Sequence, residues 1–187
     1  VQLSKLNADS SYEFEILDHG VQVGQNLFKT APLIFPNKMV FVTGGDMFHT
    51  RQMLDSMNRR AGTENPLFAL LGGDLAYANG IDGDRWLEWV ESWDKCATTP
   101  YGCSIPMIPV IGNHEVKGAS YRPTDAPNRD AAPFFYSLFF GMEKGSMFTI
   151  DFGDYLSLIA LDSGHTKNIK SQTSWLRKAL HTRRSRP

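Results

Sequence analysis

Three short apolar runs, Met39 to Thr43, Leu67 to Leu71 and Ile105 to Ile111, each give way to glycine and then to a polar side chain. Their ends read Gly44-Gly45-Asp46, Gly72-Gly73-Asp74 with Tyr77 close behind, and Gly112-Asn113-His114-Glu115. Runs of this kind suit strands buried on both faces of a sheet that helices cover. Helical stretches fill the gaps. Met53, Leu54 and Met57 form an apolar stripe opposite Arg51, Asp55 and Arg59, and the segment from Arg85 to Lys95 places Trp86, Trp89, Val90 and Trp93 on one face. These tryptophans read as core, not as a cofactor box. Strand, helix, strand, helix, strand predicts an α/β architecture with right-handed crossovers.

The same order makes a chemical statement. In open α/β sheets the carboxyl ends of the strands converge on one crevice, so Asp46, Asp74, Tyr77, Asn113 and His114 are expected to meet although they are far apart in sequence. Glycine before each polar residue permits a tight turn and close backbone approach, while Asp, Asn and Tyr offer the oxygen donors that hard cations prefer. A single Gly-Asp turn is a weak signal, because aspartate in loops more often caps a helix. Three in strand order are specific.

Gly73-Asp74-Leu75-Ala76-Tyr77 and Gly112-Asn113-His114-Glu115 resemble the GDxxY and GNHE blocks of the calcineurin-like metallophosphoesterase family. The tyrosine makes the pattern similar to the purple acid phosphatase branch, in which it is a metal ligand. The resemblance runs from about Lys38 to the end of the chain. It implies a layered α/β metallophosphoesterase fold, incomplete here, and hydrolysis of small-molecule or macromolecular phosphate esters, of the acid phosphatase phosphomonoesterase type. It also implies two metal ions, iron paired with iron, zinc or manganese. Residue by residue, Asp46 would ligate the first metal, Asp74 would bridge both, Tyr77 would complete this chain's share of the first site and Asn113 would bind the second. His114 resembles the family's catalytic imidazole, which binds the substrate phosphate and protonates the departing alkoxide, with Glu115 orienting it. A surface histidine and an ordinary aromatic at a helix start are the plain readings of His114 and Tyr77; the surrounding pattern disfavours both.

The chain departs from the family in two ways. Phe48 stands where the branch usually has glycine, which adds bulk beside the expected metal, and His49 is expected to reach the site only through a hydrogen bond. The family's later histidine and its GHxH pair do not appear, and Gly164-His165-Thr166, lacking a second histidine, reads as an ordinary loop. An incomplete second metal site, and a chain poorly active alone, are therefore expected. Two rival readings follow: a non-catalytic binding module on a decayed phosphoesterase fold, favoured by Phe48 and the missing histidines, and a phosphodiesterase. Against the first, a site freed from catalysis has no evident reason to keep converging oxygen ligands.

Residues 1–33 read as the last strands of a β domain and a linker, and residues 34–187 as the start of the phosphoesterase domain. Tyr12, Phe14 and Ile16 alternate with Glu13 and Glu15, Gly20 marks a turn, and a second strand is expected near Asn26 to Lys29. Two strands are marginal alone, so a larger sheet is expected around them. With Phe28-Lys29-Thr30-Ala31-Pro32 this piece resembles the end of the fibronectin type III-like domain that precedes many such phosphatases. Toward the other end, Ser146 to Phe152 and Tyr155 to Leu161 predict a hairpin across Gly153-Asp154. A helix follows from about Ser171, and its basic end reads as solvated. Val1 opens directly into polar sequence without Met, which reads as the interior of a longer protein. Cys96 and Cys103 flank a loop that a disulfide could close, which would fit an exported protein, periplasmic, extracellular or on the cell surface, while two free thiols of a cytosolic protein are just as ordinary; the disulfide is slightly favoured. A formal net charge of -1 argues against a nucleic-acid surface, and no apolar run is long enough to span a bilayer.

Overall fold

The computed structural model describes residues 2–119, 130–139, 141 and 145–186. The chain start at Val1, and residues 120–129 of the stretch from Lys117 to Asp130 in which the sequence shows no readable pattern, lie outside them. The chain is a mixed α/β protein, with one parallel sheet and two antiparallel hairpins among the described residues.

The first hairpin pairs β1 (Ser11–Asp18) with β2 (Val21–Lys29). His19 and Gly20 form its two-residue turn at φ 48° and 82°, and positive φ at both central positions is what the twist of a tight hairpin requires. Tyr12 stacks on Phe28 at 5.7 Å, and the register slips between Ile16 and Leu17. Among the described residues this sheet has two strands, not the larger number expected. It leans on the rest of the chain instead. Ser104 donates its N–H to the Leu27 carbonyl at 2.8 Å, and Asn26 Nδ2 donates to Asp94 at 3.3 Å.

The central sheet holds β3 (Val42–Gly44), β4 (Ala69–Leu71) and β5 (Met107–Pro109), parallel and in sequence order. Helix α1 (Arg51–Thr63) joins the first two and α2 (Gly83–Cys96) the last two. The helices pack on each other, so both lie on one side of the sheet, as consecutive right-handed crossovers in one direction require. Burial on both faces holds for β4 and β5, but β3 is half-exposed. Among the described residues only β4 has a strand on each side; of the two edge strands β5 is covered, whereas Thr43 and Gly44 of β3 stay exposed.

On α1 the buried residues are Leu54, Asn58 and Gly62, whereas Met53 and Met57 are exposed, contrary to the expected stripe. Close approach of α2 and of the segment just after it explains this. A Cβ at Gly62 would lie 2.1 Å from the Thr98 carbonyl oxygen, and Asn58 Nδ2 donates to Ser92 Oγ at 3.0 Å inside the interface. On α2, Trp86, Trp89 and Trp93 are buried as expected, while Val90 is exposed. The indoles pack with Phe135 and Phe139, contributed in and after the short helix α3 (Pro133–Leu138) that the sequence reading did not anticipate.

Strands β6 (Phe148–Phe152) and β7 (Leu156–Ala160) form the expected second hairpin, followed by α4 (Thr173–Thr182). Phe152 stacks on Phe68 at 4.9 Å and Phe68 on Phe41 at 5.2 Å, a column joining this hairpin to the central sheet. Its turn clasps the linker after β2. Tyr155 Oη donates to the Pro32 carbonyl at 2.8 Å, and Gly153, at φ +51°, lies so close that a Cβ would stand 2.2 Å from the Leu33 oxygen. The basic end of α4 is docked rather than solvated, for Arg183 grips Asp151 at 2.7 Å and Arg186 reaches it at 3.1 Å. Cys96 and Cys103 are both buried free thiols, not a disulfide. Cys96 closes α2, whereas Cys103 sits opposite Thr99 in a short antiparallel pairing, with Thr99 donating to the Cys103 carbonyl at 2.8 Å.

Candidate functional site

The loops leaving β3, β4 and β5 are interlocked by their backbones. Asp46 N–H donates to the Gly73 carbonyl at 3.2 Å, and Met47 N–H to the Asp74 carbonyl at 3.0 Å. Glycine is what permits this. A Cβ at Gly73 would lie 2.5 Å from the Gly112 nitrogen, and one at Gly112 would lie 2.3 Å from Asp74 Oδ1.

Onto this backbone the sequence places the side chains in question. Tyr77 Oη donates to Asp46 Oδ1, and the Asp74 carboxylate accepts the His114 backbone N–H at 2.7 Å. The Tyr77 and His114 rings stack with centroids 4.1 Å apart. Asn113 opens the 3-10 turn Asn113–Glu115, half-buried beside His114. All five predicted residues are thereby brought to the carboxyl ends of the parallel strands. Asp46, Asp74, Tyr77 and Asn79 take left-handed backbone, at φ 52°, 55°, 52° and 51°. Each such non-glycine residue costs about 1 kcal/mol, and strain of this kind persists where surrounding structure holds it and concentrates at functional sites.

Glu115 does not orient His114 as expected. Its carboxylate is fully buried and turns toward the backbone, with Oε2 accepting N–H bonds from Asp74 and Gly112, each at 2.7 Å, and Oε1 accepting from Leu75 at 2.9 Å. It ties the second loop to the third. Burial pushes the Glu115 carboxyl above its ordinary range, and those three donors pull the other way. The imidazole is instead met by Asn79, whose Oδ1 lies 2.6 Å from His114 Nδ1. Sequence reasoning missed Asn79; a side-chain amide two residues after the tyrosine was the available signal.

Phe48 does not crowd the crevice. Its ring is buried in the core with the Arg85 guanidinium 4.3 Å above it, which removes one of the observations favouring a non-catalytic module. His49 is exposed just ahead of α1. His165 lies in the loop after β7 but is buried. Asp162 caps that loop, accepting N–H bonds from Gly164 at 2.9 Å and His165 at 2.6 Å. Burial lowers the His165 pKa, while the negative charges of Asp162 and Asp74 oppose that shift.

The donor set suits a hard cation. Two carboxylates, a phenol and a side-chain amide supply oxygen ligands, and Tyr77 and Asp46 already share a proton that a cation would replace. That hydrogen bond, with burial, pushes the Tyr77 phenol up to about 12. Among the described residues no three His, Cys, Asp or Glu side chains form a metal-holding group, so the fit rests on Tyr77 and Asn113 as much as on the aspartates. No protein-family model matches the chain, and no curated protein matches it. Fold and site together define a mixed α/β protein with a cluster of oxygen donors at the carboxyl ends of its parallel strands.

Proposed function

We propose that this chain is the first part of a calcineurin-like metallophosphoesterase domain of the purple acid phosphatase type, preceded by the end of a fibronectin type III-like β domain, and that it hydrolyses phosphate monoesters. The observation supporting this most directly is the meeting of Asp46, Asp74, Tyr77 and His114 on interlocked, glycine-lined loops. Asp46, Tyr77, Asp74 and Asn113 would hold two cations, iron with iron, zinc or manganese. When bound, these supply Lewis-acid charge and acidify a water. The protein's own part is positioning and proton transfer. With Nδ1 held by Asn79 Oδ1 and the ring stacked on Tyr77, His114 has Nε2 left for substrate. From there one proton passes to the leaving alkoxide oxygen as the ester bond to phosphorus breaks.

The test measures bound metal and hydrolysis of an aryl phosphomonoester after supplying iron, zinc and manganese, in the full-length protein and in residues 1–187 alone. Asp74→Asn keeps an acceptor for the His114 N–H but removes the charge; it should lose metal and activity together. His114→Ala should keep metal and lose about 10²-fold or more in kcat. Residues 1–187 alone should be weakly active, because Asn113 and the bridging Asp74 are the only second-site ligands assigned here. A full-length protein that binds no metal, or an Asp74→Asn variant as fast as wild type, overturns the reading in favour of a binding module.

A further inference from the structure

Arg85 stands outside the donor cluster, on the first turn of α2, and the motifs do not account for it. Its guanidinium nevertheless holds both loops that carry the Asp46–Tyr77 pair. Nε donates to the Ala76 carbonyl at 2.8 Å, one residue before Tyr77, and Nη2 donates to the Phe48 carbonyl at 2.9 Å, two residues after Asp46. The same plane covers the Phe48 ring at 4.3 Å. Its own position is set by the helix start, where Asp82 caps α2 by accepting the Arg85 N–H at 3.1 Å.

We propose that Arg85 is a positioning residue, a strut from the rigid helix that fixes the spacing of Asp46 and Tyr77 and, through the Tyr77–His114 stack, the seat of the imidazole. Three features of the geometry carry this. Tyr77 and Asp46 both sit in left-handed backbone, which short loops keep only when something holds them. The planar fork of arginine reaches two carbonyls at once, and a lysine could not do so in the same plane. Phe48, at a position where a small residue would leave the guanidinium unsupported, supplies the flat surface beneath it. Arg85 and Phe48 therefore act as one device. The geometric claim stands on these contacts alone, and its consequence for metal binding rests on the function proposed above.

The experiment uses the full-length protein and the variants Arg85→Lys, Arg85→Ala and Phe48→Leu. Without metal, the readout is the chemical shift of the His114 ring protons. A tyrosine ring at 4.1 Å displaces this shift in wild type, and Tyr77→Leu defines the value without it. Arg85→Ala should move the shift most of the way to the Tyr77→Leu value, with Arg85→Lys and Phe48→Leu in between. With metal, affinity should fall roughly 10- to 100-fold in Arg85→Ala, the range seen when a group supporting a ligand is lost. If Arg85→Ala does not fold, Arg85→Lys and Phe48→Leu carry the test. Variants that fold, keep the wild-type His114 shift and hold metal as tightly as wild type overturn the proposal. If wild type binds no metal but the shift moves as stated, the positioning role stands and the metallophosphoesterase reading falls. Metal binding by wild type that Arg85→Ala leaves unchanged, with an unmoved shift, does the reverse.

Discussion

At the residue scale, the site depends on groups that no ligand tally would name. Glu115 receives three backbone N–H groups from two loops, so one buried carboxylate takes over the task of several turns. Glutamine at that position would turn an N–H₂ toward at least one of those donors, leaving a buried group unsatisfied. Glu115→Gln should therefore cost about 1–3 kcal/mol. In a chain of this size that lowers Tm by several degrees at roughly 2–4 °C per kcal/mol. A calorimetric scan checks it, and an unchanged Tm would show that the loops hold themselves. The GNHE block pointed to Glu115 in the sequence, but not to its role. A carboxylate that binds the backbone of distant glycine turns looks identical, as a letter, to one that orients the next histidine.

At the element scale, the strands of the central sheet are only three residues long, and what surrounds them decides how they behave. Edge strand β3, Val-Thr-Gly, carries less apolar bulk than β4, Ala-Leu-Leu, and is half-exposed where β4, with a strand on each side, is buried. Likewise α1 buries Asn58 and Gly62 instead of its methionines, since Asn58 meets Ser92 of α2 and Gly62 the Thr98 carbonyl just beyond that helix, where hydrogen-bonding or small residues fit. The basic end of α4 shows the same dependence. The Arg183 guanidinium, hydrogen-bonded to Asp151, holds that carboxyl below its usual range, so the pair stabilises the fold above the unfolded carboxyl pKa of about 4. This stabilisation is lost as pH falls through the lowered folded value. Asp151→Asn should cost up to about 1 kcal/mol at pH 7, modest because both side chains are partly exposed, and less at pH 2. Urea denaturation at both pH values measures the difference; an equal cost at both would assign the effect to packing.

At the scale of the whole molecule, the first hairpin and the central sheet are held together differently. Among the described residues the hairpin has two strands and leaves Ile16, Leu17, Val21 and Val23 exposed, whereas Trp86 and Trp89 of α2 are buried in the core and Phe68 is covered by Phe41 and Phe152. The hairpin's attachments among the described residues include the Leu27–Ser104 and Asn26–Asp94 bonds, and the linker that follows it is held by the Pro32–Tyr155 clasp. Two-stranded ribbons are marginal in water, and local opening follows the density of buried contacts. Amides of β1 and β2 should therefore exchange with solvent at least about tenfold faster than those of β4, measured by hydrogen exchange under native conditions. Equal protection would mean that hairpin and sheet open as one unit.

The sequence by itself determined the alternation of strands and helices, the two hairpins and the set of residues to be compared at the strand ends. These are written in local periodicity and in glycine followed by a ligand-type side chain, and both can be read without knowing what lies opposite. Only the tertiary structure decided that Phe48 faces the core beneath Arg85, that Asn79 rather than Glu115 meets the His114 imidazole, and that Cys96 and Cys103 remain unpaired thiols. Each of those outcomes is a distance between residues separated along the chain. Such distances follow from how the elements pack, because a side chain's partner is fixed by what the fold brings within about 3 Å of it.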